Sequence, residues 1–215
     1  MKVAGGLAEN GVIIGNTFDK YGSSNRIVRH MVDGFTRTLN GWVDALSPES
    51  IHEVGCGEGY WVVQWAGRGI AARGSDFSSQ VIRMARDNAV RNGLSPDLFE
   101  VRSIYDVASG RDEAELVVCC EVFEHIEDPE AALKALQRIV GRDLILSVPR
   151  EPLWRALNLA RGRYVANLGN TPGHIQHWSR AKIVSLVGRY FDVVEVASPL
   201  PWTMLRCTKK ATPAA

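Results

Sequence analysis

The stretch 51–61, IHEVGCGEGYW, sets three glycines on alternate positions, Gly55, Gly57 and Gly59, directly after a short apolar run that carries an acid, Glu53. Glycines at a strand-to-helix turn let the backbone approach a ligand that any Cβ would push away, and the helix that follows offers free N–H groups. A dinucleotide turn reads G-x-G-x-x-G, and its third glycine would fall at Tyr60, so the spacing argues against NAD. Another adenosine compound, or a plain glycine turn, remains. Asp76 lies 17 residues beyond Gly59, at the expected end of the next strand. A carboxylate there can accept two hydrogen bonds from ribose hydroxyls, each worth about 1.5 to 3 kcal/mol. It would also suit the start of the helix that follows.

Outward from this turn, strand and helix alternate. Residues 51–54 read as a strand, 60–68 as a helix and 70–76 as a weak strand; 78–93 read as a helix begun by a serine cap and closed at Gly93. Further strands are expected near 98–103, 115–120, 143–148, 191–197 and 202–208, with helices at 129–140 and 179–190. Such alternation implies an α/β fold of about seven strands, a mostly parallel sheet with helices on both faces. Residues 1–15 are small and glycine-rich and are expected to form a flexible tail; 16–210 form a single domain. Within it, 16–46 carry Ile27, Met31, Phe35, Leu39, Trp42, Val43 and Leu46 at helical spacing, one or two amphipathic helices. Residues 150–178 interrupt the alternation at the carboxyl end of a strand, a place for a substrate cover.

Composition narrows the partners. With 25 basic and 24 acidic residues, formal charge +1, no global field favours nucleic acid or an acidic membrane. The cysteines, Cys56, Cys119, Cys120 and Cys207, show no C-x-x-C spacing, which suits a reducing compartment. No apolar run approaches the ~20 residues of a membrane span. A soluble, cytoplasmic protein acting on a small molecule is expected.

EVGCGEG (53–59), GSDFSS (74–79), CCEVFEHIEDPEAAL (119–133) and LILSVPREP (144–152) stand in this order, and on them the chain resembles the class I S-adenosylmethionine-dependent methyltransferases. The resemblance implies their Rossmann-like fold and a cofactor, S-adenosyl-L-methionine. Glu53 would hold its methionine end; Gly55, Cys56, Gly57 and Gly59 would pass beneath it; Asp76 would hold the ribose, and Phe77 would pack on the adenine. Many relatives carry an aspartate near the third strand's end, where this chain reads VRSIYD (101–106), so Ser103 or the Ile104 backbone would take the adenine amine. In some relatives an amino-terminal helix folds over the cofactor; here TFDKYGSSNRIVRH (17–30) would do so, with Tyr21 in contact.

A sulfonium methyl is already electrophilic, so the protein must align an acceptor and manage one proton. Ionising a phenol of pKa about 10 near neutral pH costs roughly 4 kcal/mol. An aliphatic hydroxyl costs roughly 12, which makes a divalent cation attractive. Glu121, Glu124 and His125, followed by His174, supply two carboxylates and two imidazoles suited to Mg²⁺ or Mn²⁺. This E-x-x-E-H pattern is similar to that of the small-RNA 3′-terminal 2′-O-methyltransferases, in which the later histidine precedes a tryptophan by four residues, as His174 precedes Trp178. Ubiquinone-pathway O-methyltransferases are also similar. Related methyltransferases carry the pattern without a metal; His125, His174 or His177 would then be the general base, with Glu121 beside the cofactor. His30 and His52 read as structural. Arg150, Arg155, Arg161 and Arg163, with Trp154 and Tyr164, read as a solvated face with a half-buried aromatic, or as a grip for an acidic substrate.

The first expectation is therefore O-methylation of a catechol, phenol or vicinal diol. N- or C-methylation of a small molecule, RNA 2′-O-methylation and a non-catalytic cofactor-binding regulatory module are the alternatives.

Overall fold

Alternating apolar positions along the central strands send side chains to two opposite faces, and each face needs helices to cover it. The computed structural model describes residues 1–9, 12–16 and 18–210. A short hairpin, β1 (Ala8–Glu9) and β2 (Val12–Ile13), precedes α1 (Arg26–Leu46). Then follow β3 (Ser50–Val54), α2 (Tyr60–Gly67), β4 (Ala71–Asp76), α3 (Ser79–Arg91), β5 (Phe99–Val101) and β6 (Ala114–Cys120). The chain continues through α4 (Pro129–Ile139), β7 (Val140–Pro149), α5 (Leu153–Ala160), α6 (Arg180–Val187), β8 (Phe191–Ala197) and β9 (Trp202–Lys209).

The seven-stranded sheet has the order β5-β4-β3-β6-β7-β9-β8. Strands β3 to β7 pair in parallel, and β9 runs antiparallel to both its neighbours. Along β6, Leu116 and Val118 pack with Leu39 of α1, Trp65 of α2 and Ile82 of α3, whereas Val117 and Cys119 pack with Leu136 of α4 and Ile183 of α6. Helix starts are local: Ser78 accepts from the Val81 N–H at 3.1 Å, and Asp128 from Glu130 and Ala131 with Pro129 in the first turn. Because β4 lies on one side of β3 and β6 on the other, the crevice at their carboxyl ends is the topological switch point, where such sheets bind ligands.

Two expectations about the amino-terminal region change. The first residues are not a free tail: Ala4 and Ile14 are buried with Val81, and Glu58 of the glycine loop accepts from the backbone N–H groups of Ala4 and Asn16 at 2.8 and 2.7 Å. The helix over the cleft begins only at Arg26, because Asn25 caps it by accepting from Ile27 and Val28, and residues 18–25 form a non-helical strap. Ile27, counted on the apolar stripe, is 70% exposed at that first turn. Asn10, Gly11 and Thr17, part of the expected tail and cover, lie outside the described residues. Among the described residues no helix is long and apolar enough to cross a membrane.

Candidate active site

Three loops leave the carboxyl ends of β3, β4 and β6 side by side. The β3 loop turns through positive φ at Gly55, Gly57 and Gly59. These glycines have different reasons. A Cβ on Gly55 would strike Val122, and one on Gly59 would strike Phe99, so those two serve packing. Above Gly57 nothing lies within 4 Å among the described residues, and this is where a ligand can approach the backbone. The loop's N–H groups are used internally: Gly55 and Cys56 donate to the Ser75 carbonyl at 2.7 and 3.0 Å, and Gly57 donates to Asp76 Oδ2 at 3.1 Å.

Asp76, at the end of β4, also accepts from the Ser78 N–H at 3.0 Å. Burial pushes its pKa up to about 6 despite these two donors. Phe77, next to it, is 45% exposed, as an aromatic waiting for a flat partner would be. Ser103 turns its hydroxyl inward along the chain, accepting from the Tyr105 N–H to cap a short turn that begins with the buried Ile104. Glu53 is buried on β3, its Oε2 without a hydrogen-bond partner among the described residues, and burial drives its pKa well above the carboxylate range.

The β6 loop carries Glu121, Glu124 and His125. Candidate ligand atoms of Glu124, His125 and His174 all lie within 4.8 Å of one another. Glu124 is buried with Oε2 unpartnered among the described residues, and its pKa is raised by burial and then by Glu121. His125 donates from Nδ1 to the Gly173 carbonyl at 2.8 Å, which leaves Nε2 as its lone-pair nitrogen. Burial, with His125 next, lowers His174 to about 4, so both rings are neutral near pH 7. An unpartnered carboxylate beside two neutral imidazoles is a donor set that fits a divalent cation.

The segment 150–178 is tied to this loop. Ile175 and Gln176 donate to the Glu124 carbonyl at 2.9 and 3.0 Å, and Trp178 Nε1 donates to the Phe123 carbonyl at 3.0 Å. Trp154, read as part of a solvated face, instead turns inward: its ring lies 5.9 Å from His174 and 6.0 Å from Trp202, and its Nε1 donates to Thr171. Arg155 and Arg161 brace the segment itself through Leu168 and Asn158. His177 stays outside the cluster, exposed and bonded to Asn170 Oδ1 at 2.9 Å.

Glu121 is not free to join the cation set. It sits at positive φ, accepts from Trp202 Nε1 and pairs with Lys20 of the strap. Tyr21, expected on a covering helix, lies in the strap instead, stacked on Tyr60 with ring centroids 3.6 Å apart. Sequence reasoning passed over Lys20, Glu58 and Trp202 as functional positions. A basic residue beside Tyr21 and an acid between two loop glycines were the available signals.

His52, by contrast, is structural in geometry: it is buried, bonded to the Asp112 carbonyl and Ser75 Oγ at 2.8 and 2.9 Å, and its pKa is lowered to about 4 by burial.

Residues 24–196 match a family profile described as a methyltransferase domain. The chain is similar to the ubiquinone biosynthesis O-methyltransferase of Thiobacillus denitrificans, 34% identical over 103 residues. That match covers 46% of this chain and 44% of the relative, so the chain spans less than half of that relative's length. The ubiquinone biosynthesis O-methyltransferase of Xanthomonas euvesicatoria is 23% identical over 175 residues, 69% of this chain and 73% of that one. Among solved structures, magnesium protoporphyrin IX methyltransferase from Synechocystis PCC 6803 with bound SAH matches with a TM-score of 0.66 at 19% identity, over 90% of this chain and 94% of that one.

Proposed function

Because the chain belongs to the class I S-adenosylmethionine-dependent methyltransferases, we propose that it methylates an oxygen of a small catechol or vicinal diol. The observation that carries this reading is the buried, unpartnered Glu124 beside the neutral His125 and His174. S-adenosylmethionine supplies an electrophilic sulfonium methyl. Gly57 leaves room for the cofactor, Asp76 would accept from its ribose, Phe77 would pack on its adenine, and Ser103 or the Ile104 backbone would meet the adenine amine. Glu53 faces its ammonium. These residues would hold the donor at the crevice, and Trp154 and Trp202, whose rings lie 6.0 Å apart, would wall the acceptor's place against water.

Glu124, His125 and His174 would hold Mg²⁺ or Mn²⁺, which lowers the pKa of a bound hydroxyl. His125 keeps Nε2 in place through its bond to Gly173. A second reading is favoured by Glu121, the expected fourth ligand, which accepts from Trp202 and lies outside the cluster of Glu124, His125 and His174. In it, His125 or His174 takes the proton of a phenol directly, and no cation is needed.

Methyl transfer from radiolabelled S-adenosylmethionine to a simple catechol and to its monophenol, each with Mn²⁺ and with a chelator, separates them. The proposal expects Mn²⁺-dependent transfer to the catechol alone. Transfer to the phenol in chelator supports histidine base catalysis. Transfer to neither, with an amine or an RNA 3′ end accepted instead, overturns both.

A further inference from the structure

We propose that Lys20 is a tethered cation that holds the place of the methyl donor's positive charge in the ligand-free protein, and that donor entry displaces it. The inference rests on the donor site described above. The lysine arrives on the strap of residues 18–25, and its side chain is only 18% exposed. Its ammonium pairs with Glu121 from the end of β6, and the charges of Glu53 on β3 and Glu124 beyond β6 act on it as well. These are the acids of the two strands that flank the switch point. Burial works against the ammonium, yet Glu121 and then Tyr21 outweigh it and hold the lysine pKa above its ordinary value. Lys20 is therefore a fixed positive charge rather than a base.

Glu53 and Glu124 are buried here and Glu121 is 21% exposed, and acids so placed keep their charge more readily with a cation beside them. S-adenosylmethionine brings a sulfonium and an ammonium against one carboxylate, a net charge of +1. Two cationic groups placed against the same carboxylates repel each other. The strap is built to exchange one for the other. At one end Glu58 clamps Ala4 and Asn16, and at the other Asn25 caps α1. Between these anchors, among the described residues, the strap is held by the Lys20–Glu121 pair, by the Tyr21 ring on Tyr60 and Trp61, and by the Asp19 pair with the Met1 ammonium at 3.8 Å. The middle of the strap can lift while both ends stay attached.

The test is calorimetric titration of S-adenosylmethionine and of the uncharged-sulfur product S-adenosylhomocysteine into the wild-type chain, Lys20→Met and Lys20→Arg. Lys20→Met is expected to bind S-adenosylmethionine about tenfold more tightly than wild type, with a smaller gain for S-adenosylhomocysteine, and Lys20→Arg is expected to match wild type. Unchanged or weaker binding of S-adenosylmethionine by Lys20→Met overturns the proposal and leaves the donor site standing. Binding by none of the three proteins overturns the donor site, and the proposal with it. A readout independent of any variant is amine-selective labelling of Lys20 in the wild-type chain, followed by mass spectrometry. Labelling should rise several-fold on saturation with S-adenosylmethionine; equal or lower labelling contradicts displacement.

Discussion

The donor and acceptor ends of the crevice each keep one buried carboxylate oxygen without a partner among the described residues, Glu53 at the first and Glu124 at the second. Their surroundings differ. Glu53 looks toward a strap whose cation and aromatic ring can be lifted away, whereas Glu124 is enclosed by His125, by His174 and by backbone bonds from Ile175 and Gln176. A methyl donor must leave as product after every turnover, so its site needs a cover that opens. A cation that stays through many turnovers can be held by side chains on loops bonded to each other. The contrast teaches that similar unmet electrostatic demand can serve an exchanging ligand or a resident one, according to what is attached behind it.

The largest effect should come at the donor end. Gly57→Val places a β-branched side chain at positive φ in the space kept open for the cofactor, and binding of S-adenosylhomocysteine should fall by more than about a hundredfold in a protein that still melts cooperatively. The comparison sharpens if Gly59→Ala does the reverse, lowering the melting temperature through Phe99.

Beneath the donor end, His52 tests the scaffold. Its folded pKa of about 4 lies below the ordinary 6.5, so below pH 6.5 the unfolded chain takes up a proton that the folded chain refuses. The stability it contributes is lost as pH falls from 6.5 to 4, by roughly 3 kcal/mol. Denaturant titrations across that range should show His52→Gln lacking this part of the acid sensitivity.

Asp76→Ala comes next. Loss of the ribose bonds should weaken cofactor binding by roughly one to two orders of magnitude in calorimetry. Unchanged affinity would move the ribose contact elsewhere. The smallest effect is at the acceptor end: in chelator, Glu124→Gln should leave stability within about 1 kcal/mol of wild type at neutral pH, because burial already favours the protonated acid and the amide replaces one neutral group by another. A larger loss of stability in chelator would break the comparison.

Much of this arrangement could be read from the sequence, because much of it is local. The glycine turn, the Ser78 cap and the alternation of strand and helix depend on neighbours a few residues apart, and they specify the parallel sheet and its crevice. His174 could be placed only through resemblance, its spacing from Trp178 matching that in the small-RNA 2′-O-methyltransferases. The remainder depends on distant pairings. That Gly55 and Gly59 also leave room for Val122 and Phe99 is visible only once those distant side chains are seen against them. Lys20 meets Glu121 across 101 positions of chain, and Glu58 meets residues 4 and 16 in a segment that composition alone marks as a tail. Tyr60, read only as the residue that excludes a dinucleotide, proves to be the ring on which the strap is stacked.

The measurement that tests the account most directly is calorimetric titration of Mn²⁺ into protein saturated with S-adenosylhomocysteine, with His174→Ala as the control. The account predicts one specific site, lost in the variant. Equal binding by both proteins, or binding by neither, would contradict a resident cation held by Glu124, His125 and His174.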